Sequence, residues 1–196
     1  MGSSFFPALV LLILITQQIR ATTSSSDSNG NGESRTLSFS VFQHEGLNKT
    51  GYVMVEGVAG PPVGPTTASF GNIYVGNDPF TTEFDNSSKN VGFAEGEYIT
   101  TSMDGYRTLY IATYTLQIEQ NDSIWNGTIS VLGTVNNERN STLPVVGGTG
   151  DFMSVQGYVF SYPVDTKDVQ NVVYGVDFHL HWPRECNHAM NHRLPP

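Results

Sequence analysis

Two acids stand where proton chemistry could be done. Glu45 follows His44 at the end of a candidate strand, and Asp151 opens another after the glycine-rich run Gly147-Gly148-Thr149-Gly150. Carboxyl groups facing an aromatic-lined cavity suit proton transfer, because desolvation raises a carboxyl pKa and lets it act as an acid near neutral pH. The other usual chemistries lack their residues. The chain has no nucleophile elbow, P-loop or dinucleotide fingerprint. Its glycine-rich run precedes a strand rather than the helix whose N-terminus a phosphate cradle uses, and it reads as a tight turn. His179 and His181 are assigned to opposite faces of one strand, which keeps them from sharing a metal. Cys186, His188 and His192 fall in a stretch without periodicity and read as surface residues. With one cysteine, neither an internal disulfide framework nor a multi-cysteine zinc site can form. No metal and no cofactor is expected.

The elements that must position these acids are strands. Period-two alternation runs through residues 37–43, 52–58, 69–75, 91–99, 109–118, 124–132, 152–160 and 172–182, and no segment shows a 3.6 period. In the last of these, Val172, Tyr174, Val176, Phe178, Leu180 and Trp182 share one face. Turn chemistry separates them at Gly60-Pro61-Pro62, Asn77-Asp78-Pro79, Asp104-Gly105, Asn126-Gly127 and the glycine-rich run. Asn126-Gly127 lies inside an apolar run and could make a hairpin of its own. Eight strands joined by short turns predict an all-β, antiparallel sheet that closes into a barrel or folds into a sandwich. Periodicity does not separate the two. An eight-stranded barrel leaves room for side chains or one small ligand.

The ends of the chain are of another kind. Residues 5–15 (FFPALVLLILI) form an apolar run too short to span a bilayer, followed by polar residues and small ones from Ala21. That order predicts a signal peptide over 1–21, a flexible leader over 22–35, the folded domain over 36–182 and a fraying tail over 183–196. Secretion gives meaning to the Asn-x-Ser/Thr triplets at Asn48, Asn86, Asn121, Asn126 and Asn140 as glycosylation sites. Eighteen acidic against nine basic residues, a net charge of −9, argue against nucleic acid and anionic membranes as partners.

The stretches Phe42-Gln43-His44-Glu45, Val91-Gly92-Phe93-Ala94-Glu95-Gly96, Pro144 to Phe152 (PVVGGTGDF) and Gly157-Tyr158 together closely resemble the plant dirigent proteins. The match runs in order from Leu37 to Trp182. The resemblance implies a secreted, glycosylated, eight-stranded antiparallel β-barrel of the apoplast or cell wall that assembles as a trimer or dimer, with no cofactor of its own. It implies stereoselective coupling of phenoxy radicals, such as those of coniferyl alcohol, supplied by an external laccase or peroxidase. Some relatives instead act as dehydratases or cyclases on quinone-methide or isoflavanol precursors. A cell-wall protein that binds phenolics or glycans without turnover is a third possibility. Carried over residue by residue, the resemblance makes Asp151, Glu45 and Tyr98 the proton-handling groups and Phe42, Gln156 and Phe152 substrate contacts. Two positions depart from the family pattern. Glu45 stands for the usual Asp after His, and Gln156 for the Arg before Gly-Tyr, where a guanidinium could hold a phenol oxygen.

Overall fold

A computed structural model describes residues 35–58, 67–120, 122–168 and 170–183. The readings on the signal peptide, most of the leader and tail, Cys186, His188, His192, Asn121 and Gly60-Pro61-Pro62 lie outside the described residues. Among the described residues there are nine strands: β1 (Arg35–Gly46), β2 (Gly51–Val55), β3 (Ile73–Thr81), β4 (Asn90–Thr100), β5 (Arg107–Gln120), β6 (Ser123–Asn136), β7 (Ser141–Gly150), β8 (Gln156–Asp168) and β9 (Asn171–Trp182). All pair antiparallel, in the order β1-β9-β8-β7-β6-β5-β4-β3-β2. The sheet closes because β1 also pairs with β3, through Phe42 with Thr81 and Gln43 with Phe80.

The ninth strand does not add a stave to the barrel. β1 and β2 both run antiparallel to β3 and use the same edge of it in succession. β1 takes the end at Phe80 and Thr81; β2 takes Ile73 to Gly76. The turn between them holds Asn48 in a left-handed conformation, φ 60°. Pro79 sits in the gap, where neither β1 nor β2 pairs with β3 and no amide is needed for the ladder. Asn77-Asp78-Pro79 is therefore strand and not turn.

Four further expectations change. Residues 141–150 form strand β7, and the glycine run is its end rather than a loop. Residues 151–154 make the turn, so the strand expected from 152 starts at Gln156. Asn126-Gly127 lies inside β6 and pairs across to Gln117 and Leu116. Arg35, expected in the leader, already pairs with Trp182. The glycines matter here because Gly157 has φ 138° and an added Cβ would stand 2.0 Å from the His179 carbonyl oxygen. Gly157→Ala is expected to cost about 2–4 kcal/mol, read as a lower urea midpoint with an unchanged slope.

Alternation sorts the side chains into interior and exterior. On β5 the inward set is Thr108, Tyr110, Ala112, Tyr114, Leu116 and Ile118; on β9 it runs from Val172 to Trp182. The lower half of the interior is filled. Phe39 stacks on Phe178 with centroids 4.4 Å apart, and Phe80 and Tyr114 meet Phe178 and each other edge-on. Below lie Trp125, Phe152 and Trp182, with the Arg35 guanidinium over both indole rings at 4.1 and 4.7 Å. Such packing contributes dispersion and cation–π attraction beyond burial. The upper half, around Tyr98, Tyr110 and Tyr174, is hollow. His179 and His181 both point outward, with Leu180 buried between them, which corrects their assignment to opposite faces; a spacing of two returns to the same side of a strand.

Candidate active site

The hollow is a cavity of about 230 Å³. That is just below the roughly 300–1,000 Å³ of pockets for drug-sized ligands, and suits a small aromatic ligand. Gln43 and Glu45 enter from β1, Tyr98 and Thr100 from β4, Tyr110 and Tyr114 from β5, and Tyr174 from β9. Arg139, on the turn between β6 and β7, is exposed at the rim.

Behind this wall Asp78 is fully buried on β3. Its Oδ2 accepts from Tyr98 Oη at 2.7 Å and Gln43 Nε2 at 2.8 Å, and its Oδ1 accepts from Thr50 Oγ1 at 2.6 Å. Gln43 Nε2 also donates to Tyr98 Oη at 3.2 Å. The fold arranges each donor. The β1–β2 turn brings Thr50 over Asp78, and Gly76 leaves space for the Tyr98 ring, which an added Cβ would meet at 2.9 Å. Burial raises the Asp78 pKa, and the three donors oppose that rise by favouring its anion.

Glu45 is in the opposite position. Among the described residues it has no hydrogen-bonding side-chain partner, and it opens only onto the cavity. Desolvation, with the Asp78 charge adding to it, pushes its pKa up to about 8. The two carboxyls thus sit in different surroundings: Asp78 accepts three hydrogen bonds that favour its anion against the rise that burial causes, whereas Glu45, with none, keeps its proton at neutral pH. Environments that separate two acids in this way define an acid and a base. Burial also raises the Tyr98, Tyr110 and Tyr114 hydroxyls, so all three are neutral donors.

Of the residues assigned to the site from sequence, Glu45 and Tyr98 line this cavity. The others do not. Asp151 is exposed in the β7–β8 turn, where its Oδ2 accepts from the Asn126 amide at 2.7 Å. Asn126 and the cavity residue Asn136 are ten residues apart on β6, roughly 33 Å along the strand. Phe152 is buried in the lower plug against Trp125. Phe42 points outward, edge-on to Phe84, because its parity on β1 is opposite to that of Gln43 and Glu45. Gln156 is exposed in a shallow dent beside Val146, Tyr158 and His181, so having Gln there in place of Arg takes no charge from the cavity. Asp151→Asn is expected to leave cavity chemistry unchanged and to cost at most about 1 kcal/mol through the lost turn bond, measurable by a thermal melt beside a turnover assay. His44 faces away from the cavity. Its Nε2 donates to Thr81 Oγ1 at 2.7 Å, since the Thr81 hydroxyl proton goes to the Glu83 carbonyl. The sequons Asn48, Asn86, Asn126 and Asn140 are exposed.

The molecule is thus a closed antiparallel barrel with a plugged lower half and an acid- and tyrosine-lined cup above. The chain belongs to the dirigent-like family, whose model, described as Dirigent-like protein, matches residues 36–181. Dirigent protein 1 of Arabidopsis thaliana is 27% identical over 78% of this chain and 82% of its own length. Pterocarpan synthase 1 of Glycine max is 35% identical over 55% of this chain and 59% of its own. The solved pterocarpan synthase dirigent protein GePTS1 superposes with a TM-score of 0.66 at 20% identity, covering 82% of this chain and 99% of that one. That last likeness speaks for the fold.

Proposed function

We propose that the cavity catalyses proton transfer on a phenolic substrate that passes through a quinone methide, losing water and closing a ring. The observation that carries this reading is the acid pair at one small cavity: Glu45, protonated and lining it, and Asp78, buried behind its wall and joined to it through the Tyr98 hydroxyl. The substrate is a benzylic alcohol conjugated to a phenol. Glu45 gives its proton to the benzylic hydroxyl, which leaves as water. Tyr98 takes the phenolic proton as it passes its own to Asp78, and the ring becomes a quinone methide. A second hydroxyl of the substrate then adds to the benzylic carbon. Its proton returns to Glu45, while the ring oxygen recovers its proton from Asp78 through Tyr98 and aromaticity is restored. The sum is loss of one water, with both carboxyls regenerated. The likeness to pterocarpan synthases supports the same reading.

A second reading, stereochemical guidance of phenoxy-radical coupling, is supported by the dirigent relatives. It also ends on a quinone methide that must be protonated, and it takes its radicals from a separate oxidase in the extracellular setting that the leader would require. One experiment separates the two. The protein is incubated with a hydroxylated isoflavanol and with coniferyl alcohol, each with and without laccase, and products are resolved by chiral chromatography. Cyclised product without oxidant is the expected result. Single-handed product from coniferyl alcohol that appears only with laccase, and none from the isoflavanol, would replace the first reading by the second.

A further inference from the structure

Two hydroxyls in the cavity wall have no partner. Thr100 Oγ1 and Tyr110 Oη are shut off from bulk solvent, and neither meets a donor or acceptor at hydrogen-bond geometry. Their residues are 1% and 3% exposed, and both line the cavity. They stand on neighbouring strands. Tyr98 pairs with Tyr110 and Thr100 with Thr108, so Tyr110 and Thr100 are diagonal neighbours across β4 and β5, within reach of one ligand group. The Tyr98 and Tyr114 hydroxyls lie near enough to Tyr110 to interact with it and ease its pKa, though not at full hydrogen-bond geometry, whereas Thr100 has no such neighbour. Tyr98, however, spends its proton on Asp78. Buried hydroxyls left without partners are uncommon in folded proteins, and two in one cavity wall point to a polar group supplied from outside.

The acids Glu45 and Asp78 approach from β1 and β3, whereas these hydroxyls approach from β4 and β5. We infer that Tyr110 and Thr100 form a second recognition point, for an additional oxygen substituent on the aromatic substrate: a hydroxyl, ether or carbonyl oxygen that accepts from one or both. A substrate with hydrogen there leaves both hydroxyls unpaired. A site built to hydrogen-bond an oxygen discriminates against the analogue lacking it far better than an apolar pocket discriminates by size. The pair is thus a specificity determinant and takes no part in the proton transfers. The inference rests on the phenolic reading above, which names the first oxygen.

Titration calorimetry with two alcohols of one skeleton tests it: p-coumaryl alcohol, with one ring oxygen, and coniferyl alcohol, with two. The protein is expected to bind coniferyl alcohol about tenfold tighter or more. In Tyr110→Phe and in Thr100→Val the ratio should fall to within about threefold. Thr100→Ser, which keeps the hydroxyl, should retain the preference. A ratio near one in the unmodified protein overturns the inference, as does a ratio that survives both substitutions in variants whose melts match the parent. If Tyr110→Phe does not fold, the Thr100 variants decide alone. Failure of both alcohols to bind the unmodified protein overturns the phenolic reading and the second recognition point with it.

Discussion

Glu45→Gln is expected to lower turnover of the phenolic alcohol about 10²–10⁴-fold, the usual contribution of a positioned general acid. Gln preserves size and polarity, so substrate affinity should change little and the loss should appear in kcat. The pH profile gives the sharper test. With the acid titrating at about 8, the parent activity should fall as pH rises through 8, because only protonated Glu45 can give its proton to the leaving hydroxyl. The residual activity of the Gln variant should lack that alkaline limb. An unchanged limb would assign it to another group and remove Glu45 from the mechanism. Asp78→Asn would not substitute for this test, since an amide in place of a carboxylate that accepts from Gln43, Thr50 and Tyr98 disturbs the wall itself.

The same carboxyl makes stability depend on pH with a definite sign. The Glu45 pKa is raised from 4.5 in the open chain to about 8 in the fold, so the folded state binds the proton more tightly. Its contribution is fully present below about 4.5 and is lost as pH rises through 8. The interval corresponds to at most about 5 kcal/mol, and water in the cavity should reduce this to about 2–4 kcal/mol. Asp78, raised by burial, acts in the same direction. Between pH 5 and pH 9 the Tm of the parent should fall roughly 10 °C more than that of Glu45→Gln. The variant should also be the more stable of the two at pH 9. Parallel curves for parent and variant would show that Glu45 titrates normally in the fold.

The sequence carried the in-and-out order of the side chains well and their height in the barrel poorly. Alternation placed Val172 to Trp182 on one face, and all of them do point inward. Glu45 and Tyr98 reached the cavity for a simple reason: their strands happen to end at its level. Asp151 and Phe152 also stand at a strand boundary, but at the opposite end, and period two has no term for which end is which. Asp78 was hidden differently. Asn-Asp-Pro is strong turn chemistry, and here the closure of β3 against two successive strands made room for a proline within a strand. Gln43 shares the parity of Glu45 on β1, opposite to Phe42, and that parity is the signal that places it inside. Tyr110 sits on the cleanest inward row of β5, where a tyrosine reads as core until the hollow above Phe178 is seen.

Among the described residues, the stack of Phe39 on Phe178 and the indole pair beneath it close the cup from below and leave it open on the side of Arg139. Whatever enters past Arg139 must leave the same way, so a product still bound excludes the next substrate. Inhibition by product should therefore be competitive and not mixed. At high flux, departure through the doorway rather than proton transfer would set the rate, and greater solvent viscosity would slow turnover accordingly.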